Sequence, residues 1–290
     1  MQFITLKNVT RRDGEFYCHG IPYADFDRTG HWGIWNIARM FEACRRTVSH
    51  KTNFFLRDTK GTFAFAYVVR RQTFKLSQKI HDNISLFSRF LPKITYKMVE
   101  IGNSSFTVHN ELYDDFSGSS EVFAENFTRI VKINWEKKQS TELSREMREE
   151  LEDIYRSPSE IWQNTTVFPD RTNDIPIYTL SLRVPFSDTD SLQHITHVMY
   201  SKYCTDCATN AINAGFYRHF KDDICWYPIL EMDIEYLGDA IEGEIIDIHT
   251  WQGENPQHLY FETKTKGKII NKAMFVIGLE KSRKNRHSKM

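Results

Sequence analysis

The chain carries one eleven-residue pattern twice, and this constrains its fold more than any single motif. Ile21-Pro22-Tyr23-Ala24-Asp25-Phe26-Asp27-Arg28-Thr29-Gly30-His31 and Val184-Pro185-Phe186-Ser187-Asp188-Thr189-Asp190-Ser191-Leu192-Gln193-His194 both read Ile/Val-Pro-Tyr/Phe-x-Asp-x-Asp-x-x-x-His. From Asp25 to Asp188, from Asp27 to Asp190 and from His31 to His194 the spacing is 163 residues each time. A fixed spacing over so long a pattern implies one supersecondary unit built twice.

The residues downstream of each copy agree as well. After His31, the run Ile34 to Cys44 has helical periodicity, as does Val198 to Ala214 with Tyr200, Tyr203, Cys207 and Ala211 on one face. These runs predict helices over roughly 33–49 and 196–215. Strand patterns complete each half. In the first, Phe63, Phe65, Tyr67 and Val69 alternate, and so do Phe106, Val108, Asn110 and Leu112 after the turn Gly102-Asn103. In the second, Tyr178, Leu180, Leu182, Val184 and Phe186 alternate. Leu259, Phe261, Thr263 and Thr265 then alternate up to the turn Lys266-Gly267, and Ala273 to Ile277 is a continuous apolar run. Each half is therefore α+β: strand, loop, one long helix, then antiparallel strands. The expected boundaries are 1–140 for the first unit, 141–176 for a charged helical linker and 177–290 for the second with a basic tail. In the linker, Leu143, Met147, Leu151 and Ile154 mark a surface helix, and Ser157-Pro158-Ser159-Glu160 reads as a capping box.

Charge excludes some function classes. With 38 basic and 38 acidic side chains the net charge is zero, so no global field favours nucleic acid or an anionic membrane. No stretch is long and apolar enough for a membrane span, and the N-terminus does not read as a signal peptide. The five cysteines are expected as free thiols in a reducing compartment. Cys204-x-x-Cys207 lies inside the expected helix and lacks a second ligand pair. It is read as two small apolar residues, with no metal and no cofactor implied.

The run Asp188 to Tyr200, Asp-Thr-Asp-Ser-Leu-Gln-His-Ile-Thr-His-Val-Met-Tyr, closely resembles the Asp-loop of hotdog thioesterases. These include the 4-hydroxybenzoyl-CoA thioesterase-like group and the plant-type acyl-ACP thioesterases, which carry two hotdogs in one chain. The resemblance implies two tandem hotdog domains packed as a pseudo-dimer, each a long helix wrapped by an antiparallel sheet. It also implies hydrolysis of an acyl thioester, with acyl-CoA as the expected substrate; further oligomerisation stays open. Asp190 stands where the family has a catalytic Asp, His194 where the acyl-ACP group has a functional His, and Asp239 near a further acidic position. The family's Asn after the Asp is Leu192 here, and its two Asn after the His are Thr196 and His197, which can still bind substrate through hydrogen bonds. Aligning Ile80 to Ile84 with Ile241 to Ile245 puts Gln78 opposite Asp239. That makes the second copy the better catalytic candidate. Asp27 and His31 sit in Arg28-Thr29-Gly30-His31-Trp32-Gly33, which departs further from the family. Three readings stay open for them, a second active site, a degenerate one or only a fold-determining loop, with the degenerate site favoured.

A carboxylate ahead of a helix can act as general base or as nucleophile, and the helix's first N–H groups, near Ile195 to His197, can receive an oxyanion. The competing role for Asp190 is a helix N-cap; for Asp188 and Asp25, loop-stabilising hydrogen bonds suffice. Arg70, Arg71, Lys75 and Lys79 form a basic run read as a solvated strand edge rather than a CoA phosphate site. Acyl-ACP stays open as the carrier in place of CoA. Two rival readings also stay open: a hotdog dehydratase, although the Asn-Pro of that motif is missing, and a non-catalytic acyl-binding protein, although Asp190 is retained.

Ser288-Lys289-Met290 is one conservative step from the Ser-Lys-Leu peroxisomal address, so a peroxisomal import receptor is an expected partner. A reporter fused upstream is expected to move from puncta to cytosol when these three residues are deleted. Unchanged puncta would remove the peroxisome and much of the case for CoA.

Overall fold

A computed structural model describes residues 4–10, 12–52, 65–152, 168–169, 171 and 174–282. Phe63, Ile154, the Ser157–Glu160 capping box and Ser288-Lys289-Met290 lie outside these residues. The chain forms two compact units, and the segments Pro22–Arg39 and Lys75–Ser88 of the first half cluster with the second half.

The first unit is a sheet of β1 (Ile4–Lys7), β2 (Asp13–Cys18), β3 (Phe65–Leu76), β4 (Pro92–Ile101), β5 (Ser105–Asp114) and β6 (Ala124–Asn134), with the short β7 (Gln139–Ser140) on β6. Its order is β1-β2-β4-β5-β6-β3, and the ladders from β1 to β6 are antiparallel. Helix α1 (Ile34–Thr52) buries Ile37, Phe41, Cys44 and Val48, a stripe of helical period. Phe41 meets Phe74 of β3 at 6.3 Å, and burial pushes the Cys44 thiol and its neighbour Cys18 of β2 upward. β5 is buried on both faces from Ser105 to Asn110, where simple alternation predicted one apolar face. The short helices α2 (Gln78–Asn83) and α3 (Arg145–Glu152) come after β3 and β7. Leu143, just before α3, and Met147 on it are buried, and Arg148 donates to the Asn103 carbonyl at 2.7 Å.

The second unit is an antiparallel sheet in the order β9-β12-β11-β10-β8: β8 (Tyr178–Arg183), β9 (Ile229–Tyr236), β10 (Ile245–Gln252), β11 (His258–Thr265) and β12 (Lys268–Ile277). Lys266 and Gly267 both have positive φ, 49° and 76°, as a tight two-residue hairpin turn requires. Trp251 and Tyr260 face each other across β10 and β11 and stack at 5.6 Å. Helix α4 (Met199–Asn213) packs on β8 and β10. Cys204 and Cys207 are fully buried along it, and the Cys207 thiol donates to the Ile248 carbonyl at 3.4 Å. All five cysteines are free thiols. Among the described residues no helix is long and apolar enough to cross a membrane.

α4 begins three residues later than its periodicity predicts. The N–H groups of Ile195 and Thr196 are already committed outside the helix, to the carbonyls of Ala240 and Asp188 at 3.0 Å each. At the other end Gly215 (φ 70°) donates to the Ile212 carbonyl and stops the helix. The alternation of β8 likewise fails at Phe186. That residue opens a one-turn 3-10 helix (Phe186–Asp188), so its ring stays 75% exposed.

Candidate active site

The two copies of the sequence pattern fold into the same loop, hydrogen bond by hydrogen bond. The N–H of Asp190 donates to the His194 carbonyl and that of Asp27 to the His31 carbonyl, both at 2.8 Å. Gln193 and Gly30 then donate to the carbonyls of Asp190 and Asp27, at 2.9 and 3.0 Å. Both need a left-handed backbone, with φ of 65° and 84°. Glycine adopts this freely, whereas Gln193 carries a strain of about 1 kcal/mol.

Each second Asp closes its own loop. Asp190 Oδ1 accepts from the N–H groups of Leu192 (2.8 Å) and His194 (3.3 Å). Asp27 Oδ1 accepts from those of Thr29 (2.8 Å) and His31 (3.2 Å). The N-cap alternative for Asp190 therefore falls. α4 starts at Met199, its N-cap is Val198, and no side chain caps it. Asp190 is exposed, and its Oδ2 has no hydrogen-bond partner among the described residues. The first Asp of each pair is buried and structural, as expected. Asp188 accepts from the Tyr203 hydroxyl (2.8 Å) and Lys202 (3.4 Å), and Asp25 from Arg39 (2.8 Å).

His194 and Asp239 meet, with Nδ1 and Oδ2 3.5 Å apart. The backbone accounts for it. The N–H groups of Leu237 and Gly238 both donate to the Ile270 carbonyl, which bends the chain at the end of β9. A Cβ at Gly238 would stand 3.0 Å from the Ile270 side chain, so a larger residue crowds this bend. Ala240 and Ile241 then pair with Ile195 and His194, which sets Asp239 beside the imidazole. Tyr200 lies underneath. Its hydroxyl is buried with no hydrogen-bond partner among the described residues, and burial together with the Asp239 charge pushes its acidity far down. Glu244 is also near His194; the Lys266 ammonium, hydrogen-bonded to it, holds its carboxyl below the usual range.

No protein-family profile matches the chain, and no curated protein matches it by sequence. Solved structures do match. The 12:0-ACP thioesterase from Umbellularia californica superposes with a TM-score of 0.72 at 13% identity, covering 93% of this chain and 98% of that one. An acyl-ACP thioesterase from Bacteroides thetaiotaomicron superposes with a TM-score of 0.69 at 12% identity, covering 91% and 97%. The fold is a tandem double hotdog.

Within this double hotdog two sequence expectations change. First, Ile195 and Thr196 do not offer N–H groups to an oxyanion, because both already donate to carbonyls. Of the two substrate-contact candidates, Thr196 is half-buried, and the half-buried His197 ring stands edge-on to Tyr236 at 5.8 Å. Second, Gln78 is not the counterpart of Asp239. His31 pairs with Ser85 as His194 pairs with Ile241, so the residue two before, Asn83, takes the place of Asp239. The sequence alignment missed this because Gln78 to Asn83 form a helix, capped by Ser77, where the second copy has none. It also missed Tyr200 and Glu244 as neighbours of the site: Tyr200 reads as one more apolar position of a helix, and Glu244 as one charge in a loop.

His31 is buried near His81 of α2, and Trp226 stands edge-on to it at 5.8 Å. Neutral His81 donates from Nε2 to the Ile229 carbonyl at 2.9 Å, and burial holds its pKa down to about 4. The unfolded chain, with an ordinary histidine near 6.5, takes up this proton first. Stability from this site is therefore complete above about pH 6.5 and falls as pH drops towards 4, by up to roughly 3 kcal/mol. Urea midpoints across that window are expected to decline, and His81→Gln to flatten the decline.

Proposed function

We propose that this protein hydrolyses fatty-acyl thioesters to the free acid and a thiol, with the second Asp-loop as its catalytic centre. The observation that carries the reading is the juxtaposition of His194 with Asp239 at 3.5 Å, beside an Asp190 whose outer oxygen is open. The shared fold supports it, since the two acyl-ACP thioesterases use the same two-hotdog frame. Asp190 acts on the attacking water as general base, or attacks directly, and His194, oriented through Nδ1 by Asp239, polarises the carbonyl or holds the water. The proposed carrier is CoA and the proposed compartment the peroxisome, both resting on the resemblance of Ser288-Lys289-Met290 to an import address.

The test is thiol release from an acyl-CoA series of increasing chain length, run beside the matching acyl-ACPs. Turnover that peaks at one chain length and is faster on CoA is expected. Faster turnover on ACP would move the carrier, and tight acyl binding without turnover would leave an acyl-binding protein.

A further inference from the structure

The first loop holds its histidine by a different device, and at shorter range. Thr29 occupies the position of Leu192, and its hydroxyl bridges two partners: Asp27 Oδ1 at 2.6 Å and His31 Nδ1 at 2.7 Å. A hydroxyl has one proton to give. Given to the carboxylate, it leaves the oxygen to accept from His31, which fixes the proton of the neutral imidazole on Nδ1 and leaves Nε2 as the basic nitrogen. The second loop cannot do this, because Leu192 has no hydroxyl; there Asp239 faces Nδ1 instead. The first loop has Asn83 where that acid would stand. Each copy thus supplies one Nδ1 partner, from a different residue at a different position. A merely fold-determining loop does not require its imidazole to be oriented twice over by unrelated means. Apolar surface lies beside this loop as beside the other. Tyr23 and Phe186, equivalent in the repeat, are 80% and 75% exposed, and Phe87 comes directly after Leu86, whose N–H binds the Gly30 carbonyl.

We propose that the first loop is a second hydrolytic centre, with His31 as general base and Thr29 and Asp27 as its positioning residues. This rests on the thioesterase reading and adds a site to it. His31 Nε2 takes a proton from water as the water oxygen bonds to the thioester carbonyl carbon. The C–S bond then breaks, and the proton passes from Nε2 to the leaving sulfur, giving one acid and one thiol per water consumed.

The experiment uses the full chain carrying Asp190→Asn, with whichever acyl-CoA of the series wild type cleaves fastest. A residual rate of roughly a hundredth of wild type is expected. Adding Thr29→Val is expected to lower it about tenfold more, Thr29→Ser to restore it, and His31→Ala to abolish it, with thermal midpoints as the folding control. Nitrogen-15 NMR of the histidine rings is expected to show His31 with its proton on Nδ1, and to lose that preference in Thr29→Val. An active wild type with no residual rate in Asp190→Asn would overturn the second centre and leave the thioesterase reading standing. So would a residual rate indifferent to Thr29 and His31. A wild type inactive on every thioester would overturn both.

Discussion

Asp190→Asn is expected to leave the fold intact and to lower thioester turnover by roughly a hundredfold or more, the scale of a lost general base. In the proposed mechanism, structure and chemistry use different atoms of this side chain. Oδ1 closes the loop by accepting from the N–H groups of Leu192 and His194, and an asparagine carbonyl oxygen accepts the same two bonds. Oδ2 is the atom left for chemistry, and the substitution replaces it with an amide that is neither base nor nucleophile. Stability should therefore change by about 0.5 kcal/mol or less. His194→Ala is expected to cost less activity, and Asp27→Asn in an otherwise wild-type chain less still. Thiol release with a parallel thermal melt checks all three. An Asp190→Asn protein that stays folded and fully active would return Asp190 to a loop-closing role.

Two residues earlier, Asp188→Ala is expected to do the opposite kind of damage. Asp188 is 7% exposed and accepts from the Tyr203 hydroxyl and the Lys202 ammonium, so it ties the loop to α4. Truncation leaves a buried hydroxyl and a half-buried ammonium without their acceptor, at a cost of about 2–4 kcal/mol. At roughly 2–4 °C per kcal/mol for a chain of this size, the thermal midpoint should fall by about 5–15 °C. Activity measured well below that midpoint should fall as well, because the Asp188 carbonyl receives the Thr196 N–H and so positions the segment carrying His194. Adding Tyr203→Phe to Asp188→Ala should recover part of the stability, since the orphaned hydroxyl is then gone. A double variant no more stable than the single would show that Tyr203 is not the partner that matters.

The sequence alone determined the repeat, the α+β composition of each half, the two long helices and the Lys266-Gly267 hairpin. These come from local rules: a left-handed turn needs residues that tolerate positive φ, and a buried helix face repeats every three to four residues. The pairing of Asp with His inside each loop was also legible, because four residues of chain span it. Contacts between segments far apart in the chain follow no local rule, and Asp239 was named only by the family resemblance. The meeting of His194 with Asp239 depends on a bend that Ile270 enforces across β9 and β12. The wrong choice of Gln78 as its counterpart came from α2, which occurs in one copy and not the other. The start of α4 and the loss of Ile195 and Thr196 as oxyanion donors were decided by carbonyls of Ala240 and Asp188. Backbone N–H groups go to whichever acceptor the folded chain brings near, and only the tertiary structure says which that is.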